Sequence, residues 1–337
     1  MTKTHDNAPA VLATGLVKTF GSGGTVTRAV DGIDLEVVRG EVFGVLGPNG
    51  AGKTTMLQML ATLLPMDGGS ATIFGVDVAE HPHVVRQLVG VTGQYASVDE
   101  NLTGRENLFL FGRLLGLDAK RARATGDDLL VRFGLEDAGD KRISQFSGGM
   151  RRRLDLAASL IARPPLIFLD EPTTGLDPRT RGQMWDTIRE LVRQGTTVLL
   201  TTQYLDEADQ LADRIAVIDR GHKVAQGTPD QLKAQVGSST LQLRLLDPAQ
   251  TAQAVDVVRR VVGSDDGEPV LTPEAGGINV PLPDANRAAD VLIGLREQEL
   301  LITSATVQKP TLDEVFMALT GHTTEDQSDQ NQMEAVR

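Results

Sequence analysis

The sequence predicts an α/β protein, a mainly parallel sheet with an inserted helical subdomain, followed by a small α+β domain. Three observations predict it. From residue 164 onward, short apolar strands alternate with helix-like stretches, an order that calls for a parallel sheet covered on both faces. A leucine-rich helical stretch over about 96–163 interrupts that alternation. Beyond residue 236 the order becomes β-α-β-β-α-β, the split βαβ arrangement.

Taken in order, residues 12–20 and 26–38 read as strands around a Gly21-Ser22-Gly23-Gly24 turn. Residues 42–46 are an apolar strand running into a glycine-rich loop, and a helix follows over 53–63. Residues 71–74 and 89–92 are strand-like. After the helical stretch come strand 166–170, helix 179–193, strand 198–202, helix 204–211 and strand 215–218. In the small domain we expect strand 241–246, helix 248–262, strands 269–272 and 278–282, helix 284–299 and strand 301–308. Thr311 and Glu314 have the spacing of a capping box, so a last helix starts there, with Val315, Phe316 and Leu319 as an apolar stripe. The expected division is 10–236, 237–320 and a polar, disordered tail over 321–337.

Composition narrows the function. The chain has 337 residues, enough for about two domains, and a formal net charge of -12. That charge argues against nucleic acid as a partner, because a phosphate backbone rewards basic surfaces. With no cysteine, disulfides and thiolate metal sites are excluded. The five histidines show no metal-ligand spacing. Apolar runs are of strand length, and residues 1–9 lack the apolar core of a signal peptide, so the chain is expected to stay in the cytoplasm and to reach a membrane only through a partner.

The chemistry concentrates in three places. Gly47-Pro48-Asn49-Gly50-Ala51-Gly52-Lys53-Thr54 matches G-x-x-x-x-G-K-[ST] between a strand and a helix. Its glycines let successive N–H groups turn toward phosphate oxygens, and the helix start adds a positive dipole. Lys53 supplies a point charge to the β- and γ-phosphates, and the Thr54 hydroxyl is a hard ligand for Mg²⁺. The bland alternative is a chance glycine turn. Second, Asp170 and Glu171 end a buried apolar strand, where open α/β sheets bind ligands. Asp170 suits Mg²⁺ through water, and Glu171 suits proton abstraction from an attacking water. An acidic helix cap before Pro172 is the alternative. Third, Ser147-Gly148-Gly149 opens an amphipathic helix and makes a second anion site. Alone it is only a capping motif. The Arg151-Arg152-Arg153 run that follows reads as a solvated helix start, with Arg151 or Arg152 in reach of a nucleotide as the alternative.

In this combination the chain resembles the nucleotide-binding subunits of ABC transporters over about residues 10–230, through the cradle, Gln94, Ser147-Gly148-Gly149, Asp170-Glu171 and Gly175-Leu176-Asp177-Pro178. Within them it is similar to the daunorubicin/doxorubicin-resistance ATP-binding proteins. That likeness lies in Val91-Thr92-Gly93-Gln94-Tyr95-Ala96-Ser97, in Thr201-Thr202-Gln203-Tyr204-Leu205-Asp206-Glu207 and in Leu312-Asp313-Glu314-Val315-Phe316. The resemblance implies a P-loop NTPase cassette that hydrolyses ATP with Mg²⁺. It implies a homodimer in which each ATP lies between Lys53 of one subunit and Ser147 to Gly149 of the other. It further implies a separately encoded membrane permease, at the cytoplasmic face of the membrane, exporting a drug-like compound. Residues 47–54 together with Thr55 would hold the nucleotide. Gln94 would contact Mg²⁺ or the attacking water, with an ordinary strand-end amide as the alternative. Asp177 would reach across the dimer, and Phe20 would stack on adenine unless it is a core aromatic.

Two departures from the family pattern stand out. Phe146 and Met150 replace the usual Leu and Gln of the signature, which keeps an apolar anchor but loses an amide. Gln203 stands where a His near the γ-phosphate is usual; it retains an N–H donor for the same sensing role but cannot carry charge. Competing readings are a soluble ABC ATPase of translation or DNA maintenance, an importer ATPase, and a nucleotide sensor without turnover. The single cassette, the small domain's ending and Glu171, respectively, argue against them.

Overall fold

A computed structural model describes residues 8–21, 26–93, 98–235, 239–263, 269–272, 276–282, 284 and 286–320. The chain divides into two compact units, one running to Pro229 and one starting at Asp230.

The first unit opens with β1 (Val11–Phe20), β2 (Thr27–Val37) and β3 (Val42–Leu46). Next come α1 (Lys53–Leu60), β4 (Gly68–Ile73), β5 (Val76–Asp77), α2 (Pro82–Leu88) and β6 (Val89–Thr92). The inserted helices are α3 (Gly104–Leu114), α4 (Ala119–Arg132) and α5 (Gly148–Ser159). The chain returns through β7 (Leu166–Asp170), α6 (Pro178–Arg193), β8 (Thr197–Thr202), α7 (Leu205–Leu211), β9 (Arg214–Asp219) and β10 (His222–Gly227).

β1, β2, β4 and β5 form an antiparallel sheet in the order β2-β1-β4-β5. The central sheet has six strands in the order β10-β9-β3-β8-β7-β6, parallel except for its β10 edge. Its inner strands β3, β7 and β8 are buried along their whole length because both faces are covered. Leu166 and Phe168 of β7 join Phe43, Leu199 and α1 residues Met56 and Met59 in one core. Ile167 and Leu169, one residue out of phase, join Val198, Leu200 and the helical residues Leu108, Leu129 and Ile188 in another. Two-residue periodicity thus sends successive side chains of one strand to opposite layers.

α1 stops at Leu60, short of the expected 63, because Thr62 turns into the left-handed region at φ 62. α2 and β10 were not foreseen. The Gly21-Ser22-Gly23-Gly24 turn lies, from Ser22 on, outside the described residues.

The second unit contains α8 (Pro229–Ala234) at its border, then β11 (Ser239–Leu245), α9 (Thr251–Val262), β12 (Val270–Leu271), β13 (Gly277–Leu282), α10 (Arg287–Glu297), β14 (Ile302–Gln308) and α11 (Leu312–Thr320). The strands pair antiparallel in the order β12-β13-β11-β14, the expected β-α-β-β-α-β sequence. Leu241, Leu243 and Leu245 alternate with outward residues and pack with Val258, Val291 and Leu295 of α9 and α10. The predicted capping box of α11 forms: Glu314 N–H donates to Thr311 Oγ1 at 3.3 Å, and Thr311 N–H to Glu314 Oε2 at 3.1 Å. Leu312, Val315 and Phe316 are buried. The polar stretch 321–337 lies outside the described residues.

Candidate functional site

The strand order brings the ends of three neighbouring strands together. Leu46 pairs with Thr202, and Asp170 with Thr201, so residues 47–54, 170–171 and 202–203 leave the sheet along one edge. The Gly47 N–H donates to the Thr202 carbonyl at 3.2 Å, joining the loop to that edge.

Between β3 and α1 the loop coils tightly. Gly52 has φ 101, and a Cβ there would stand 2.1 Å from the Ala29 carbonyl oxygen. At Gly47 a Cβ would stand 2.2 Å from the Ile218 carbonyl oxygen. Both approaches are to backbone, so only glycine fits either position. Lys53 begins α1 and turns its side chain into the loop, where Nζ donates to the Gly47 and Pro48 carbonyls at 2.7 and 3.1 Å. Its ammonium lies 3.4 Å from Glu171 Oε1. Burial pulls the Lys53 pKa below the ordinary lysine value, against the opposing pull of Glu171 and Asp170. Thr55 follows, half-buried, and Asn49 and Gly50 form the exposed crest of the loop, with Ala51 buried behind it.

Asp170 is the meeting point of two hydroxyls. Its Oδ1 accepts from Thr54 Oγ1 at 3.1 Å and from Thr201 Oγ1 at 2.6 Å. Thr54 and Asp170 also line a cleft of about 220 Å³ together with Thr92 and Gly93. A carboxylate and a hydroxyl facing an open cleft are hard oxygen donors of the kind that suit a small divalent cation.

Glu171 is buried and stands at φ 48, a left-handed conformation that costs a non-glycine residue about 1–3 kcal/mol. Its N–H is held by the Thr201 carbonyl and hydroxyl, each at 3.1 Å, and its Oε2 accepts from Thr174 Oγ1 at 3.2 Å. Strain at the residue with the best-placed carboxylate is the pattern of a functional site. Gln203, half-buried, follows Thr202 on the same edge. Gln94 lies outside the described residues; Gly93, which precedes it, is at the end of β6 beside β7.

Ser147 caps α5 by accepting the Met150 N–H at 3.3 Å. Gly149 is buried, and a Cβ there would stand 2.3 Å from Thr180 Cγ2, whereas at Gly148 a Cβ would meet nothing within 4 Å. Asp177 caps α6, accepting from the Arg179 and Thr180 N–H groups at 3.1 and 3.0 Å and from Thr180 Oγ1 at 2.6 Å. The Thr180 hydrogen bonds hold its carboxyl below the usual range. Phe20 is 45% exposed, with Lys18 Nζ 5.8 Å from its ring centroid, so it is not a core aromatic.

The arginine run is not a solvated helix start. Arg151 pairs with Glu100 at 2.7 Å, Arg153 donates to the Phe133 carbonyl at 3.0 Å, and Arg152 turns inward. Its guanidinium donates to the carbonyls of Gly93 at 2.7 Å, Asp170 at 2.7 Å, Glu171 at 2.8 Å and Pro172 at 3.2 Å. Sequence reasoning also missed Thr201, whose hydroxyl serves both acidic residues; a threonine directly after the apolar run Val198-Leu199-Leu200, beside the Asp-Glu strand, was the available signal.

A strand–loop–helix phosphate cradle is common to many nucleotide-handling proteins. Here it shares one cassette with a serine-capped Ser-Gly-Gly helix start borne on an inserted helical subdomain, and that pairing is the pattern of the ATP-binding cassettes of ABC transporters. Comparison agrees. The ABC transporter family profile matches residues 30–174, and that of the C-terminal domain of DrrA1-3-like ATP-binding proteins matches residues 227–320. The chain is 52% identical over 322 residues to the daunorubicin/doxorubicin resistance ATP-binding protein DrrA of Streptomyces peucetius, covering 95% of this chain and 94% of that one. It is 43% identical over 320 residues to the doxorubicin resistance ATP-binding protein DrrA of Mycobacterium tuberculosis, covering 94% and 95%. Among solved structures, cbiO1 of Clostridium perfringens, part of the ABC transporter complex cbiONQ, superposes with a TM-score of 0.62 at 25% identity, covering 68% of this chain and 92% of that one. The chain belongs to the DrrA family of ABC transporter ATP-binding proteins. It is an ATP-binding, ATP-hydrolysing subunit, and no helix among the described residues is long and apolar enough to cross a membrane.

Proposed function

We propose that this subunit powers export of an amphipathic, drug-like compound through a separately encoded membrane permease, docked at the cytoplasmic face of the membrane. The observation that carries this reading is the extent of the DrrA likeness: it runs through both units to proteins named for daunorubicin and doxorubicin resistance. The cassette by itself would fit a transporter of any direction.

Residues 47–55 cradle the phosphates, with Lys53 as the point charge, and the exposed Phe20 ring offers a stacking face for adenine. Thr54 and Asp170 are the residues that would hold Mg²⁺, directly and through water, with Gln94 as a further ligand. Bound there, the ion would offset phosphate charge. Glu171 accepts a proton from the attacking water as its oxygen bonds to the γ-phosphorus and the bridge to the β-phosphate breaks. Gln203 donates to the γ-phosphate region from the neighbouring strand end. Ser147, Gly148 and Gly149 receive the ATP of a second copy, which makes the working form a homodimer with two shared sites, and Asp177 lies across from that copy. The exposure of Ser147 and the open space over Gly148 support that assignment.

The test is Glu171→Gln. The amide preserves shape and cannot accept the proton, so the variant should bind ATP, lose hydrolysis and accumulate as an ATP-dependent dimer by size-exclusion chromatography. Turnover near the wild-type rate would remove Glu171 from the base role. For the export reading, cells co-expressing this subunit with its permease should exclude anthracycline-type drugs in an ATPase-dependent way. Equal drug retention in cells carrying Lys53→Ala would overturn it.

A further inference from the structure

We propose that Arg152 is a positioning residue through which the Ser147 helix start governs the backbone of the same subunit's Glu171. The proposal rests on the shared-site reading above and extends it. Arg152 lies on α5 five residues after Ser147, so a rigid helix joins the two. Its planar fork is suited to several acceptors at once. Among the described residues it donates to four main-chain carbonyls, those of Asp170, Glu171 and Pro172 at the end of β7 and that of Gly93 at the end of β6.

Those carbonyls surround the strained turn. Glu171 is left-handed at φ 48, and Thr201 holds its N–H. Arg152 holds the carbonyl on the other side of the same residue, so the turn is pinned from both ends. Gly93 is the residue before Gln94, so one guanidinium fixes the approaches to two residues of the hydrolytic centre. The guanidinium is largely buried, and burial pulls its pKa down from the arginine value. Charge-assisted bonds to four carbonyls offset that cost.

A helix that bears Ser147 at its start and Arg152 just over one turn further on transmits displacement from one to the other. When Ser147, Gly148 and Gly149 close on a partner's ATP, α5 is drawn with them, and Arg152 carries the shift to the Glu171 carbonyl. Hydrolysis in one subunit then depends on engagement of its own helix start by the other site's nucleotide, although Arg152 touches neither ATP. Coupling of this kind requires a physical element shared by both sites, and Arg152 is that element.

The test uses the full-length protein with Arg152→Gln and the milder Arg152→Lys. Steady-state ATPase gives kcat, and equilibrium titration with a fluorescent ATP analogue gives nucleotide affinity. Misplacing a catalytic group by about an ångström costs on the order of 100-fold in rate. Arg152→Gln should therefore lose on the order of 100-fold in kcat while affinity stays within about threefold of wild type. Arg152→Lys keeps the charge but not the fork and should fall between. In the Glu171→Gln background, either substitution should leave ATP-dependent dimers intact, because dimerisation uses Ser147 and not the turn. A kcat within about threefold of wild type in both variants would overturn the proposal. So would a parallel fall of kcat and affinity in Arg152→Lys, which marks a merely structural residue. If Glu171→Gln alone fails to dimerise with ATP, the shared-site reading fails, and the kcat–affinity split in Arg152→Lys still decides whether Arg152 positions Glu171.

Discussion

Glu207→Gln should flatten the pH dependence of stability. Glu207 is fully buried on α7, and its Oε1 accepts from Trp185 Nε1 at 3.2 Å. Burial pushes its carboxyl above the ordinary range, against the opposing pull of Thr202, Thr173, Trp185 and the Arg181 guanidinium. Between the unfolded and folded pKa values, the folded protein keeps a proton that the unfolded chain has released. The group's contribution is therefore most favourable below the unfolded value and declines as pH rises, until the folded value is passed. One proton sets a slope of at most about 1.4 kcal/mol per pH unit. In a domain of this size about 1 kcal/mol moves the thermal midpoint by roughly 2–4 °C, so wild type should lose up to roughly 3–6 °C per pH unit relative to the variant. The amide matches the carboxylic acid in shape and has no proton to lose. Thermal midpoints of both proteins are measured in steps upward from about pH 5. Subtracting one curve from the other cancels the titration of distant groups. Parallel curves would refute the reasoning.

Gly52→Ala should lose both ATP affinity and thermal stability, because its Cβ would stand 2.1 Å from the Ala29 carbonyl oxygen at φ 101; the left-handed strain alone costs about 1–3 kcal/mol. Unchanged binding of a fluorescent ATP analogue would contradict that cradle geometry. Phe316→Ala deletes a buried ring on α11 and should cost roughly 3–5 kcal/mol in a denaturant titration of the isolated subunit; an unshifted midpoint would show that the ring contributes nothing there. Mixing Lys53→Ala with Ser147→Arg subunits should restore ATP-dependent dimerisation, since one site of each mixed dimer is then intact, while hydrolysis there stays slow because its Glu171 belongs to the subunit whose own helix start is blocked. A mixture that forms no more ATP-dependent dimer than either variant alone would count against shared sites.

Where one side chain faces one consistent environment, the sequence was readable. The apolar run of β7 and the alternation of Leu241, Leu243 and Leu245 in β11 follow directly from two covered faces and one. The cradle was legible because glycine there answers to backbone approach rather than to neighbours of any particular type. β10 was not legible: His222, Lys223 and Gln226 give it no buried face and hence no hydrophobic signature. α2 is short and buries only Val85. Arg152 was misread because its partners are carbonyls, and a carbonyl looks the same in every residue. Glu207 was missed because nothing in a lone acidic residue announces burial, although it sits one turn before buried Leu211 on α7.

The two glycines after Ser147 answer to different constraints. At Gly149 the subunit's own Thr180 leaves no room for a methyl group, while at Gly148 the subunit leaves the space open. A position that its own chain does not restrict becomes a gauge of whatever arrives from elsewhere. Side chains of graded size at 148 would leave the isolated fold untouched and obstruct only an incoming surface. The size at which function fails would then measure, from the inside of one subunit, how closely a second molecule comes.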